Sequence, residues 1–255
     1  MKSIGIVGHG NMGGAIYESV KGKFTTFLYD PMRTSTAEYH YETDFDGFIE
    51  KSDVILLSVK ADKVIETLKR IKKPRSVFSV AAGISLAILC ENLPTSSKVT
   101  RLMPNLPLTV GEGVIGYIGD RETYPDVISI FSGIGLLKEV LSEESLNAIT
   151  GLSGSGPAFV FSFIQALAEG GVKSGLSYSD ALRISIKTVK GSAILLEKEL
   201  EKNPDLHPYT LRNKVTSPGG TTIFGLDALE KGSFTFSVID AVFSAFERAK
   251  ELGKK

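Results

Sequence analysis

Short, almost wholly apolar runs alternate with amphipathic stretches through about residue 145. Ile4-Gly5-Ile6-Val7-Gly8 is an apolar run that stops at a glycine turn, as a buried strand does. Further strands are predicted over residues 24–29, 54–59, 76–80 and 99–103, with later ones over 114–118 and 137–141. The run Val54-Ile55-Leu56-Leu57-Ser58-Val59 has no polar face, which suits a strand covered on both sides. Helices are predicted between them over 11–21, 62–71 and 86–92, the second closed by Lys72, Lys73 and Pro74. Strand–helix alternation of this kind predicts an α/β fold with a parallel, doubly wound Rossmann sheet.

The periodicity then changes. Residues 158–168 (AFVFSFIQALA) are apolar almost all round, which predicts a helix buried on every side. Leu182, Ile186, Val189, Ala193, Leu196 and Leu200 recur at alternating spacings of four and three, one stripe along a long helix. A further helix is predicted over 222–230, closed at Gly232. Ser233 then caps a last helix with the stripe Ile239, Val242, Phe246, Ala249. With no repeat and no low-complexity linker, the pattern divides the chain into an N-terminal Rossmann domain, 1–148, and an all-helical domain, 149–255. A helical domain of roughly 100 residues this apolar has more to bury than it can hide alone. A homodimer or larger homo-oligomer through the C-terminal helices is therefore expected.

Composition narrows the function classes. The 255 residues carry 29 Lys plus Arg and 29 Asp plus Glu, so neither nucleic acid nor an anionic membrane is an expected partner. No run approaches the ~18 apolar residues of a membrane helix, and the N-terminal apolar stretch breaks into glycines too early for a signal peptide. The single cysteine, Cys90, excludes an internal disulfide, fits a reducing cytoplasm and reads as a small buried residue. His9, His40 and His207 lie far apart without ligand spacing, so no metal is expected.

Two tracts carry chemistry. In Gly8-His9-Gly10-Asn11-Met12-Gly13 the first glycine permits a tight turn. The second lets backbone approach a pyrophosphate, and the third lets helix pack on strand. This places Gly8, Gly10, Asn11, Met12 and Gly13 at a dinucleotide, with the helix N-terminus offering N–H groups to its phosphates. Asp30, ending the second strand, suits a ribose 2′-hydroxyl and hence NADH; Arg33, beside Thr34 and Ser35, suits a 2′-phosphate and hence NADPH. The cluster tips the reading to NADPH, with NADH the alternative. Val59-Lys60, Ala81-Ala82-Gly83 and Pro104-Asn105 sit at strand carboxyl ends, where ligands bind in this fold. Small residues there admit a nicotinamide, and Asn105 supplies an amide.

The second tract is Ser217-Pro218-Gly219-Gly220-Thr221-Thr222. Its glycines allow positive φ and leave N–H groups unshielded before a helix, an arrangement that holds a carboxylate. Thr222 adds a hydroxyl that donates and accepts. A plain helix-capping turn with Thr221 as N-cap explains the same residues equally well. Gly151-Leu152-Ser153-Gly154-Ser155-Gly156-Pro157, opening the first helix of the second half, is likewise readable as close packing or as a site.

GHGNMG, RLMPNLP, TGLSGSGPAFVF and LRNKVTSPGGTT, in that order across essentially the whole chain, closely resemble pyrroline-5-carboxylate reductases. The resemblance implies a Rossmann domain, a helical dimerisation domain with substrate bound near the dimer interface, and an NAD(P)H-dependent oxidoreductase of proline biosynthesis. It implies that hydride passes to the C=N bond of 1-pyrroline-5-carboxylate, giving L-proline. It also implies that the loop of Ser217, Gly219, Gly220, Thr221 and Thr222 holds the substrate carboxylate, with Asn105 nearby, and that Thr222 is the catalytic hydrogen-bond partner of the ring nitrogen. Two departures stand out: Ala61 replaces a common proline, and Tyr29-Asp30-Pro31 lacks the Asn-Arg pair of many relatives. Two rivals remain. A β-hydroxyacid dehydrogenase would want a catalytic lysine early in the helical half, where Lys173 and Lys187 sit in undistinguished tracts. A non-catalytic dinucleotide or proline sensor has little need of a second carboxylate site.

Overall fold

The computed structural model describes residues 2–253. Seven strands form one sheet in the order β2-β1-β3-β4-β5-β6-β7. They are β1 (Ser3–Val7), β2 (Thr25–Tyr29), β3 (Val54–Leu57), β4 (Ser76–Ser79), β5 (Lys98–Pro104), β6 (Gly113–Gly119) and β7 (Gly135–Glu139). Between them run α1 (Asn11–Val20), α2 (Phe45–Lys51), α3 (Ala61–Leu68), α4 (Leu86–Glu91) and α5 (Tyr124–Phe131), with α6 (Glu143–Ile149) after β7. Successive strand residues point to opposite faces. Ile4, Ile6, Val54, Leu56 and Phe78 therefore join one hydrophobic layer, while Val7, Ile55, Leu57 and Val77 join the other. Burial on both faces is what the run at β3 demands, and all four of its residues are buried.

The first five strands are mutually parallel. β6 runs antiparallel to β5, pairing Met103 with Gly116, and β7 lies parallel to β6. Apolar runs alone do not reveal this reversal, but the connection does. A parallel crossover needs about a dozen residues or more. Residues 105–112 hold only a 3-10 turn, Leu106–Val110, closed by Gly111 at φ 79°. The chain must turn straight back.

The chain forms two compact units. One runs to Pro157 and resumes at Val242; the other is Ala158–Ala241. The second holds most of α7 (Gly156–Lys173), then α8 (Tyr178–Lys202), α9 (Pro208–Lys214), α10 (Thr221–Lys231) and the start of α11 (Phe234–Leu252). Ser177 caps α8 by accepting from Asp180 N. Gly171 of α7 lies so close to Ala181 that a Cβ would stand 2.8 Å from the alanine methyl. The tight approach shifts the buried line of α8 to Ala181 and Ser185, one residue before the predicted stripe, and leaves Ile186 exposed. α7 is not enclosed within this chain: Phe161 is 61% exposed, and Val160 and Leu167 are also exposed. Ser233 adopts φ 59° rather than the extended geometry of a cap.

Cys90 is also corrected: it is exposed. Leu89 is the buried residue of the short α4, and the next position lies about 100° further round the helix. Among the described residues, no helix is long and apolar enough to cross a membrane, and no group of three or more His, Cys, Asp or Glu is placed to hold a metal ion.

Candidate functional site

The glycine tract joins β1 to α1. Gly8 has φ +92°, and a Cβ there would stand 2.6 Å from the Ser58 carbonyl oxygen. At Gly13 a Cβ would overlap the Gly8 carbonyl. Gly10 faces open space and N-caps α1 with no side-chain hydrogen bond. The first amides of α1, from Asn11 and Met12 onward, therefore receive no side-chain cap at an unobstructed, electropositive helix end. That is the donor set a pyrophosphate needs. The loop is held by Gly8 N donating to Tyr29 O and Ser58 N to Val7 O, both at 2.8 Å.

Asp30 is more occupied than its sequence position suggests. Its carboxylate accepts from His9 N at 2.8 Å and from Met32 N at 3.0 Å, and Arg33 Nε stands 3.9 Å away. Ser35 is likewise engaged: its hydroxyl accepts from Tyr41 N at 2.9 Å and lies 3.4 Å from Tyr41 O. Arg33 and Thr34 remain exposed, and with Thr36, Glu38 and Tyr39 they border an open cavity of about 670 Å³. His9 had no role in the sequence reading. It is buried, its Nδ1 hydrogen-bonds the Tyr41 hydroxyl, and Tyr39 packs edge-on at 4.8 Å. Burial pushes its pKa down, and Arg33 reinforces the shift. The overlooked signal is an aromatic residue inside the glycine tract followed by Tyr39-His40-Tyr41.

The other predicted cofactor contacts lie at neighbouring strand ends. Lys60 N-caps α3 without a side-chain bond, Val59 is half-buried, Ala81 buried and Ala82 exposed. Gly83 has a demand of its own: φ is +77°, and a Cβ would stand 2.8 Å from the Leu252 carbonyl oxygen at the end of α11. Pro104 is buried at the end of β5. Asn105 is also buried, and its amide is largely spent on the fold. Its oxygen accepts from Val114 N at 2.8 Å, and its nitrogen donates to Ser153 O at 2.9 Å. The TGLSGSGPAFVF tract opens with a π-helical turn, Thr150–Gly154 (TGLSG). There a Cβ on Gly151 would stand 2.7 Å from Val242 O, so this glycine admits the backbone of α11.

A second pair was missed because its members lie 42 residues apart. Arg101, buried in β5, hydrogen-bonds the Glu143 carboxylate. The same carboxylate accepts from Leu86 N, the first amide of α4, at 2.9 Å. Glu143 thus ties the segment after Ala81-Ala82-Gly83 to the strand that leads into Pro104-Asn105.

The tail tract lies in the second unit. Gly220 N donates to Ser217 O at 3.1 Å, with Pro218 next and Gly219 at φ +67°. Proline followed by a positive-φ glycine is the signature of a type II turn. Gly220 is extended at φ −79°, ψ 169°; it is glycine because a Cβ would overlap the Ser217 hydroxyl. Gly220, not Thr221, is the N-cap of α10, and it makes no side-chain cap. Thr221 and Thr222 fall in the first helical turn, Thr222 half-buried. The N-cap thus falls one residue before the predicted Thr221, on a glycine at the end of the turn. What the tract presents is an uncapped helix N-terminus bearing a hydroxyl.

An open pyrophosphate loop on a Rossmann sheet, with a second anion-suited loop in a helical unit, defines a dinucleotide-dependent oxidoreductase. Residues 3–83 match the family model described as NADP oxidoreductase, coenzyme F420-dependent, and residues 143–252 match that of pyrroline-5-carboxylate reductase dimerisation. A pyrroline-5-carboxylate reductase of Methanosarcina acetivorans is 34% identical over 100% of this chain and 99% of its own. One from Synechocystis sp. is 42% identical over 80% of this chain and 76% of its own. The solved structure of Plasmodium falciparum pyrroline carboxylate reductase with NADP bound superposes with TM-score 0.88 at 31% identity, covering 99% of this chain and 98% of that one. The chain belongs to the pyrroline-5-carboxylate reductase family.

Proposed function

We propose that this protein reduces 1-pyrroline-5-carboxylate to L-proline, with NADPH as hydride donor. The observation that carries the reading is the uncapped N-terminus of α10 behind the Ser217–Gly220 turn. There, unpaired N–H groups and the helix dipole favour a carboxylate, on a chain that has a second such end at Gly10. Bound NADPH supplies the hydride to the C=N carbon. The chain's residues bind and orient. Gly8, Gly10, Asn11, Met12 and Gly13 take the pyrophosphate, Arg33 and Thr34 the 2′-phosphate. Val59, Lys60, Ala81, Ala82, Gly83 and Pro104 border the nicotinamide end. Ser217, Gly219, Gly220 and Thr221 hold the substrate carboxylate, and Thr222 hydrogen-bonds the ring nitrogen. Asn105 acts by fixing its loop, since its amide is bonded to backbone. Asp30 is partly engaged by the His9 and Met32 amides, and the exposed Arg33 and Thr34 beside it favour NADPH over NADH.

A neutral hydroxyl is too weak an acid to be the sole proton source. The proton arrives on the protonated imine or from water, with Thr222 as relay. Residues 1–148 serve as cofactor domain and 149–255 as dimerisation and substrate domain, in an assembly of at least two chains working in the cytoplasm.

The test is oxidation of NADPH and of NADH by purified protein with 1-pyrroline-5-carboxylate, proline being identified as product. Turnover favouring NADPH is expected. Thr222→Ala should lower kcat/KM by about 10²-fold, and Ser217→Ala by much less. Equal, small losses would remove Thr222 from its role, and absence of proline would overturn the function.

A further inference from the structure

Residues 31–40 contain no helix or strand, yet Arg33, Thr34 and Thr36 border an open cavity whose lining residues all fall within 32–41. Within the segment, Thr36 N donates to Tyr39 O at 2.8 Å, the Thr36 hydroxyl accepts from Tyr39 N at 3.1 Å, and Ser35 closes on Tyr41. These bonds shape the loop but do not locate it. Its attachment to the body rests on few points. Tyr41 bridges Leu28, Glu42 N donates to Leu28 O at 2.8 Å, and the Tyr39 hydroxyl donates to Glu18 of α1 at 3.2 Å. A further point is the buried hydrogen bond between His9 Nδ1 and the Tyr41 hydroxyl. At the start of the segment Met32 N donates to the Asp30 carboxylate at 3.0 Å and Arg33 N to Asp30 O at 3.1 Å, and the same carboxylate accepts from His9 N at 2.8 Å; at its end the His9–Tyr41 bond joins side chain to side chain across to the glycine loop. The imidazole is 7% exposed and Tyr41 4%, and Tyr17 and Tyr39 close round the ring at 5.7 and 4.8 Å. Gly14 accommodates it: a Cβ there would stand 3.3 Å from Nε2.

We infer that His9 and Tyr41 form a positioning pair that sets the preference for a 2′-phosphorylated cofactor. They do so by holding the Arg33–Thr36 segment in register with the glycine loop. This rests on the reading of Arg33 and Thr34 as the 2′-phosphate contacts. The pyrophosphate contacts come from the start of α1 and do not pass through the segment. Loosening the pair therefore displaces the contacts to the 2′-phosphate far more than those shared by both cofactors. A bidentate or hydroxyl contact to phosphate is lost when its donor shifts by an ångström, whereas the hydride-donating nicotinamide end is untouched.

The experiment measures KM and kcat for NADPH and NADH in wild type, Tyr41→Phe, His9→Phe, the double variant and Arg33→Ala, each checked by thermal melt. Tyr41→Phe is the cleaner probe, because it keeps the ring and removes only the hydroxyl. Each single variant should raise KM for NADPH about tenfold, the worth of one buried hydrogen bond. KM for NADH should rise by a clearly smaller factor, and kcat at saturating NADPH should fall less than KM rises. The double variant should be little worse than either single one, since both remove the same bond. Equal changes for the two cofactors, or fully additive effects, would overturn the pair's role. If Arg33→Ala shifts the NADPH-to-NADH ratio and Tyr41→Phe does not, the pair is excluded while the 2′-phosphate reading stands. If Arg33→Ala leaves the ratio unmoved, that reading fails, and the pair's proposed role with it.

Discussion

Burial holds the His9 imidazole below its ordinary titration range, and the Arg33 guanidinium deepens the depression, while Asp30 and Glu18 oppose it. Tyr17, Tyr39 and Tyr41 complete the groups around the ring. A histidine kept neutral in the fold binds fewer protons there than in the unfolded chain, where it titrates near 6.5. Its contribution to stability is therefore complete above about pH 6.5 and is lost as pH falls through the folded value. Melting temperatures of wild type and His9→Phe between pH 8 and pH 5 should diverge in slope. Wild type should lose stability more steeply below pH 6.5, because only it takes up the extra proton on unfolding. Parallel curves would mean that the ring titrates freely in the fold. Tyr39 is shifted too, up to about 12, with desolvation the largest cause and Glu38 and Glu18 adding to it. It therefore stays a neutral hydroxyl donor to Glu18 throughout that range.

At the scale of elements, Glu143 binds three of them: α6 carries it, β5 presents Arg101, and α4 offers the Leu86 amide. Arg101 is almost wholly enclosed and Glu143 about a third exposed, so removing the carboxylate strands a buried cation that water reaches only in part. Glu143→Ala should cost about 2–4 kcal/mol in denaturant unfolding, and Glu143→Gln, which keeps an acceptor, clearly less. A loss below about 0.5 kcal/mol, the level of a surface substitution, would show that Arg101 finds another partner. This pair also marks the limit of legibility. Elements set by local pattern were readable: β3 from its unbroken apolar run, α1 from the glycine tract before it, and the turn at Ser217–Gly220 from proline and glycine. Contacts that need the fold to bring distant residues together were not. Arg101 with Glu143 and His9 with Tyr41 leave no periodic trace, and neither does the reversal at β6. Gly83 and Gly151 were visible as glycines, but α11 approaching at Leu252 and Val242 was not. The same distance in sequence hid how fully Asp30 and Asn105 are engaged by backbone.

For the molecule as a whole, the decisive fact is what the helical unit leaves uncovered. Phe161, Phe224, Phe236 and Ile239 are each 61–70% exposed, in a chain whose charges cancel. A buried aromatic ring contributes about 150–250 Å², so these four side chains alone offer on the order of 500 Å². A stable interface takes about 800 Å² per partner, and Val160, Leu167 and Val238, exposed as well, can supply the rest. No solvated monomer gains by presenting such a surface, and association removes it from water at about 25 cal/mol per Å². The match of residues 143–252 to a dimerisation model agrees. Light scattering should give at least twice the mass of one chain. Phe161→Glu combined with Phe236→Glu should lower that mass while leaving the helical circular dichroism in place, because both rings already face solvent within the chain. A wild type running as a single chain would exclude the assembly. An unchanged mass in the double variant would move the interface to other exposed residues of the unit, Phe224 among them.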